Sequence, residues 1–403
     1  MADRPGPPGT APSPDRPAAD SDPIDAAIDD AGAVGFVAVG TRFDPDLRHL
    51  TRFRGPENEY AFVRVSGRSV VCAPGESVGR VKAEFDGEVA ADRVGDPAGE
   101  RAAAVLDEYA AGDTASAGGT VLVPPRIPHD AAVYLERAGY DLRSTAAVTE
   151  ARATKSESEI DAIRAVQVAA AAAVREGERL LATADSAPDG ELSREGRQLT
   201  VERLRRGTNA ELARHGVTDA DNTVVRASTG RDRTTGVGAA PASDRPLRPD
   251  EPITVAVAPR GPHGYYGSLA RTLVVDSNGG WERRAYVAVE SALDAALAAV
   301  EAGAVARAVG READAELAAF GFDSDPESAG GAPPAPGHGV GLSRRERPSL
   351  DAGAELQAGN VVAVEPQVVD SDRGTVRLSA LVAVTADGYE RLGDGDPSFT
   401  PRE

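Results

Sequence analysis

The stretch Gly337-His338-Gly339-Val340-Gly341-Leu342 decides the fold prediction for this chain of 403 residues. Glycines on either side of His338 predict a turn that leads into a strand. The apolar run at 361–364, after Asn360, predicts a further strand, which ends in Glu365 followed by Pro366. Imidazole and carboxylate groups are ligands that divalent metals use, so His338 and Glu365 are the first candidates for a functional site.

The charge balance of the chain is strongly acidic. The formal net charge is -20, and Lys82 and Lys155 are the only lysines. Nucleic acid and anionic membranes attract basic surfaces, so neither is expected as a partner. At ~1 M salt the Debye length is only about 3 Å, and dense carboxylates then repel one another weakly while they stay hydrated. The composition favours a salt-rich cytoplasm of the haloarchaeal type, and an ordinary acidic protein from a GC-rich genome is the alternative.

The sequence disfavours both secretion and membrane anchoring. Cys72 is the single cysteine, which excludes an intrachain disulfide, and its apolar neighbours predict a buried side chain. Residues 1–23 are rich in Pro, Ala and Asp, and they predict a disordered tail rather than a signal peptide. No segment approaches the ~20 apolar residues of a membrane span. We therefore expect a soluble, cytoplasmic protein.

Residues 24–150 alternate between strand and helix patterns, which predicts a small α/β domain. Asp96-Pro97 is a suitable start for a helix over 96–111, and a second helix is predicted over 130–138. Apolar or alternating runs predict strands at 34–39, 60–65, 69–72 and 119–123.

Residues 151–395 have a different order, in which two helices and several strands are followed by the same pattern again. Ser156 and Glu159 predict a capping box at the start of the first helix. Further helices are predicted at 190–215, 282–302 and 305–320, and strands at 222–227, 252–258, 265–275, 360–365 and 375–384. A Pro/Gly loop is predicted at 323–336 and a short tail at 396–403. The order predicts a duplicated α+β unit whose halves face one another across a cleft.

Four local motifs, in this order, resemble the pita-bread fold of Xaa-Pro aminopeptidases, prolidases, methionine aminopeptidases and creatinase. They are the segment 46–53, the helix start Lys155-Ser156-Glu157-Ser158-Glu159-Ile160, the strand 264–272, and Gly337 to Leu342 with the later Arg377-Leu378-Ser379. The resemblance implies an α+β fold class: a C-terminal pita-bread domain of duplicated ααββ units, preceded by a smaller α/β domain of the creatinase type.

The resemblance also implies where metal ligands should lie. Active peptidases of the family hold two divalent ions with two Asp, one His and two Glu. By resemblance, the two Asp positions fall near Val257 and at Ser268, the His at His338, and the two Glu positions at Glu365 and Ser379. Two adjacent dications need bridging carboxylates to offset their charge, and three of these are replaced here. The resemblance therefore implies a scaffold with no metal site.

Two histidines that assist catalysis in the family are replaced as well. The proton-shuttling histidine falls on Arg345, inside the cluster Arg344-Arg345-Glu346-Arg347, and an earlier histidine falls near Val237. The arginine cluster is either a solvated, salt-bridged face or an anion site in the cleft. His263 is either a loop residue or a substitute for the lost proton shuttle.

The remaining polar positions define a candidate ligand-binding cleft. His338 either binds a ligand or is held by a backbone carbonyl or by Glu365. A buried Glu365 needs a partner, which Arg377 or Arg271 would supply. By resemblance, the cleft candidates that accompany the catalytic candidates His338 and Glu365 are Ser268, Arg271, Arg345, Arg377 and Ser379.

Three functional hypotheses remain open on the sequence alone. The favoured one is a metal-free member of the peptidase family that binds a peptide or a small polar ligand and needs no cofactor. A second is a creatinase-like hydrolase that cleaves a C–N bond without metal, using His338 or His263 for proton transfer. A third is an active Xaa-Pro-type metalloaminopeptidase with displaced ligands and Mn²⁺ or Co²⁺ as cofactor. The resemblance also implies a homodimer.

Overall fold

A computed structural model describes residues 22–92, 96–110, 118–188, 190–227, 244–322, 336–370, 372–393 and 397–402. Three sequence-based expectations fall wholly or largely outside these residues: the disordered tail at 1–23, the histidine position near Val237, and the loop at 323–336. The first described helix begins at Asp22. Within the described part, no helix is long and apolar enough to cross a membrane.

The first domain is built on a mixed six-stranded sheet in the order β4-β3-β2-β1-β5-β6. Its strands are β1 (Gly35–Gly40), β2 (Tyr60–Val65), β3 (Arg68–Pro74), β4 (Glu88–Asp92), β5 (Gly119–Val123) and β6 (Tyr140–Ser144). Its helices are α1 (Asp22–Ala31), α2 (Pro45–Thr51), α3 (Val78–Glu84), α4 (Ala98–Ala110), α5 (His129–Arg137) and α6 (Ala147–Ala151). The strands and helices predicted from the sequence in this region are therefore present.

Strand β1 explains why the sheet has a core on each side. Successive side chains of a strand point to opposite faces, and β1 is apolar at every position between its glycines. Phe36 packs on one face with Leu47 of α2, and Val37 packs on the other face with Leu106 of α4. Helices therefore cover both faces of the sheet, as the continuous apolar run indicated.

The second domain contains two helix pairs, each packed on its own sheet. The first half consists of α7 (Glu157–Ala182), α8 (Val201–Arg214), β10 (Val224–Ala227), β11 (Ile253–Val257) and β12 (Leu269–Leu273). The second half consists of α9 (Trp281–Ala298), α10 (Ala306–Ala319), β13 (Gly337–Gly339), β14 (Glu346–Ser349), β15 (Val361–Val364), β16 (Gln367–Asp370), β17 (Gly374–Arg377), β18 (Ala380–Thr385) and β19 (Gly388–Arg391). The sheet orders are β10-β11-β12 and β14-β13-β15-β18-β19, with β16-β17 as a separate hairpin. This duplicated arrangement confirms the predicted α+β class.

The predicted helix over 190–215 is wrong in its first eleven residues, because the helix begins at Val201. Residues before Val201 instead form a small antiparallel sheet of β7 (Asp185–Ser186), β8 (Leu192–Arg194) and β9 (Arg197–Gln198). Glu195 and Gly196 both have positive φ, at 55° and 68°, which is what a two-residue hairpin turn requires. The helix begins only after Thr200, whose hydroxyl accepts a hydrogen bond from the Arg203 amide at 3.2 Å.

Buried ion pairs join the two domains. Arg152 donates to Asp46 of the first domain at 2.7 Å and to Glu346 of the second domain at 2.6 Å. Lys155 also contacts Glu346, at 2.5 Å. The predicted capping box comes next along the chain, at the start of α7. It is confirmed, because the carboxylate of Glu159 accepts a hydrogen bond from the Ser156 amide at 2.9 Å. These contacts fix the first domain beside the start of β14.

The C-terminal segment, predicted as a tail over 396–403, packs against the second domain at residues 397–402. The Val274 amide donates to the Phe399 carbonyl at 2.9 Å, and the Phe399 ring lies 5.1 Å from the ring of Tyr286.

Candidate functional site

A cleft lies between the two halves of the second domain. Strands β11 and β12 supply its apolar floor, and polar groups from the second half face this floor. The lining residues are Asn222, Ala256, Val257, Ala258, Ser268, Leu269, Ala270, His338, Arg344, Arg345, Glu365 and Arg377. The predicted cleft between the duplicated halves is therefore present, and it contains both catalytic candidates.

Glu365 is the centre of the polar contacts in this cleft. It directly follows β15, whose four residues are all buried, and its own side chain is only 5% exposed. Its Oε1 lies 2.6 Å from Nη2 of Arg377 and accepts a hydrogen bond from the Ser268 hydroxyl at 3.2 Å. Of the two predicted arginine partners, the structure places Arg377 against Glu365, and the contact with Ser268 joins the two halves.

The surroundings of Glu365 stabilise its ionised form. Burial raises the pKa of this carboxyl, but the positive charge of Arg377 and the contact with His338 outweigh burial and hold the pKa below its usual range. The carboxylate is therefore a charged acceptor whose Oε1 is already committed to a guanidinium and a hydroxyl.

His338 is held by both partners that the sequence suggested. Its Nδ1 lies 3.0 Å from the carbonyl oxygen of Gly339, and its Nε2 lies 3.4 Å from Oε2 of Glu365. A carbonyl oxygen only accepts, so Nδ1 carries the hydrogen.

Two predicted cleft residues, Ser379 and Arg271, do not line the cleft. Ser379 is fully buried, and its hydroxyl accepts a hydrogen bond from the Ala270 amide at 2.7 Å. Arg271 donates to the carbonyl of Ser379 at 2.6 Å and to that of Ala270 at 2.9 Å. Both side chains therefore connect β12 to the residue that precedes β18.

The arginine cluster is divided between the cleft and the surface. Arg344 and Arg345 line the cleft, and Nη2 of Arg345 lies 4.0 Å from Oε2 of Glu365. Burial lowers the pKa of Arg344, and the neighbouring charge of Arg345 lowers it further. Arg347 points away and pairs with Glu150 at 3.4 Å, both side chains being mostly exposed. The sequence left both orientations open, because the irregular segment that leads into β14 has no periodic pattern from which to predict side-chain direction.

His263 lies outside the residues that line the cleft. Its carbonyl accepts a hydrogen bond from Arg48 at 2.9 Å, and its Nδ1 lies 3.5 Å from Nη1 of Arg54. Burial lowers the pKa of His263, and the charges of Arg54 and Arg48 lower it further. This position agrees with the interpretation of His263 as a loop residue rather than as a substitute for the proton-shuttling histidine.

Asn222 is a cleft residue that the sequence reasoning did not identify. It precedes β10, and its amide donates to the Ala258 carbonyl at 3.3 Å. The only sequence signal was a polar amide at the predicted start of a strand, which is common in turns.

The described side chains around the cleft do not fit a pair of divalent metals. The described residues contain no group of three His, Cys, Asp or Glu side chains suited to hold an ion. Val257 and Ser268 stand on the floor where the resemblance places two aspartates. The Ser379 hydroxyl is used by a backbone amide, and Glu365 is bound to a guanidinium. One imidazole and one engaged carboxylate cannot offset the charge of two dications.

Comparisons with known proteins agree with this fold. The profile of metallopeptidase family M24 matches residues 161–386. The Xaa-Pro dipeptidase from Bacillus anthracis is similar in structure, with a TM-score of 0.77 and 18% identity over 94% of this chain and 98% of that one. The prolidase from Pyrococcus furiosus has a TM-score of 0.75 and 16% identity over 92% and 99% of the two chains.

A similar structure is also found in a protein that is described as a subunit of a complex. The N-terminal domain of FACT complex subunit SPT16 from Cicer arietinum has a TM-score of 0.66 and 16% identity over 92% of this chain and 94% of that one. No curated protein sequence matches the chain. The pita-bread class with a preceding α/β domain, predicted from the sequence, is confirmed.

Proposed function

The chain belongs to metallopeptidase family M24, and from that premise we propose that it lacks the family's two-metal centre and binds a peptide or small polar ligand in its cleft. The observation that carries the proposal is the state of Glu365. This retained carboxylate is bound by the Arg377 guanidinium at 2.6 Å, with the Ser268 hydroxyl at 3.2 Å from the same oxygen.

Charge supports the same conclusion. Among the described lining residues, a dication in this cleft would meet one carboxylate and two further guanidiniums, those of Arg344 and Arg345. Two charges of the same sign at close range repel each other strongly in a partly buried cavity. Binding even one metal ion would therefore require Arg377 to leave Glu365 and would still oppose the field of the remaining arginines.

The use of the fold elsewhere is compatible with a binding role. One structure of similar fold is a domain of a FACT complex subunit, which is described as a component of an assembly rather than as a peptidase. Fold alone does not determine activity, so the donor groups in the cleft carry the argument.

The test combines metal content with peptide cleavage. The purified full-length protein is expected to contain less than about a tenth of an ion per chain by mass spectrometry, because affinity depends on the number of deprotonated ligands. It is also expected to leave Xaa-Pro dipeptides intact with and without added Mn²⁺ or Co²⁺.

Two results would overturn the proposal in distinguishable ways. Cleavage that Mn²⁺ restores and EDTA abolishes would identify an active metallopeptidase with displaced ligands. Turnover of a C–N bond that is insensitive to EDTA and lost in His338→Ala would identify a metal-free hydrolase instead.

A further inference from the structure

The cleft carries positive charge inside a protein whose formal net charge is -20. Three of its lining residues are arginines, Arg344, Arg345 and Arg377, and a single carboxylate, Glu365, faces them. The three guanidiniums and the one carboxylate among the described lining residues give an excess of two positive charges. Charged residues of one sign in a cavity concentrate ligands of the opposite sign.

Among the described residues, Arg377 has a close carboxylate partner, whereas Arg344 and Arg345 do not. Oε1 of Glu365 lies 2.6 Å from Nη2 of Arg377, whereas Oε2 of Glu365 lies 4.0 Å from Nη2 of Arg345. Arg344 is half-buried, and across the described segments no hydrogen bond or ion pair to its guanidinium is found. The Nε of Arg377 is likewise buried without a hydrogen-bond partner in the part of the chain that the structure describes. A buried donor without a partner costs free energy that a bound acceptor would recover.

We infer that the cleft binds a small carboxylic acid in its ionised form, with the carboxylate held by Arg344 and Arg345 and a short alkyl body on the floor. Guanidinium groups match the planar carboxylate with paired hydrogen bonds, which gives both strength and orientation. The inference rests on the proposed function, because a metal pair bridged by carboxylates would occupy the same space.

The floor of the cleft favours an alkyl carboxylate over phosphate. The cleft is also lined by Ala256, Val257 and Leu269, which offer methyl and methylene groups. A phosphate presents oxygens in all directions and would leave some of them against this apolar surface, where unpaired polar groups are costly. A carboxylate on a short alkyl chain presents its oxygens on one side only.

The experiment is a saturation-transfer NMR titration of the full-length protein at one fixed ionic strength. The probes are propionate, its neutral isostere propionamide, and inorganic phosphate. Propionate is expected to bind at least about tenfold more tightly than propionamide or phosphate, since charge-assisted hydrogen bonds are roughly twice as strong as neutral ones. Equal binding of propionate and propionamide would overturn the inference, and tighter binding of phosphate would overturn the choice of carboxylate.

A matched pair of variants locates the site. Arg345→Gln is expected to weaken propionate binding by about tenfold or more, whereas Arg347→Gln should leave it unchanged. Both side chains are solvent-accessible, at 41% and 62%, so both variants should fold, and circular dichroism checks this. Arg344→Gln is a second variant that should act like Arg345→Gln. Equal effects of Arg345→Gln and Arg347→Gln would refute the placement in the cleft.

Metal content separates failure of this inference from failure of the proposed function. Metal-free protein that does not bind propionate would overturn the inference alone. Protein that holds a stoichiometric metal would overturn the proposed function, whatever its affinity for propionate.

Discussion

Replacing Glu346 by Gln should destabilise the junction between the two domains. The Glu346 side chain is 4% exposed and lies 2.6 Å from Arg152 and 2.5 Å from Lys155, whose side chains are 6% and 2% exposed. Removing one partner of a buried pair typically costs roughly 3–5 kcal/mol. Asp46 still neutralises Arg152, and the amide oxygen of Gln still accepts from Lys155, so we expect the lower end, about 3 kcal/mol.

The assay is urea unfolding followed by circular dichroism, with Glu150→Gln as the control. Glu150 and Arg347 make the same type of contact at 3.4 Å, but their side chains are 60% and 62% exposed. The control should therefore change the free energy of unfolding by no more than about 0.5 kcal/mol. If Glu346→Gln costs less than about 1 kcal/mol, the buried network is not holding the junction as described.

Three further predictions concern the glycine motif, the helix cap and the floor. Gly337→Ala should cost about 1–3 kcal/mol in thermal unfolding, because the added Cβ would overlap a backbone oxygen of β15; unchanged stability would contradict the described packing. Burial raises the pKa of Glu159, but His49 and Arg52 outweigh burial and lower it. The ionised Glu159 carboxylate should thus stabilise the folded protein fully above about pH 4.3, and this contribution should fade as the pH falls towards the lowered pKa of Glu159 in the folded state. The stability gap between the wild type and Glu159→Gln should accordingly narrow in acid, and a gap independent of pH would refute this. Ser379→Ala should cost about 1–3 kcal/mol by leaving a buried amide unpaired, and a neutral result in urea unfolding would contradict it.

Local sequence signals predicted the framework of this fold well. The Ser156 and Glu159 capping box lies where the sequence predicted it, since both partners belong to one helical turn. The requirement that a buried Glu365 find a counter-charge correctly limited its partner to two arginines. These predictions succeeded because their partners lie close in sequence or because few charges were available.

Contacts between distant segments were beyond the sequence patterns. The small sheet at 185–198 was missed because its strands are only two or three residues long, too short for a periodic signal. Arg152 meets residues 106 and 194 positions away, and nothing in a single sequence selects those partners. Likewise, Ser379 was expected in the cleft as a replaced ligand, but its hydroxyl binds a backbone amide of β12.

The most direct test of the central claim is equilibrium dialysis of the full-length protein against Mn²⁺, with His338→Ala as the comparison. The account predicts no saturable site in the wild type and the same weak, nonspecific uptake in the variant, because Glu365 is bound to Arg377. One or two ions bound per chain with saturation, and lost in His338→Ala, would contradict it and establish a working metal site.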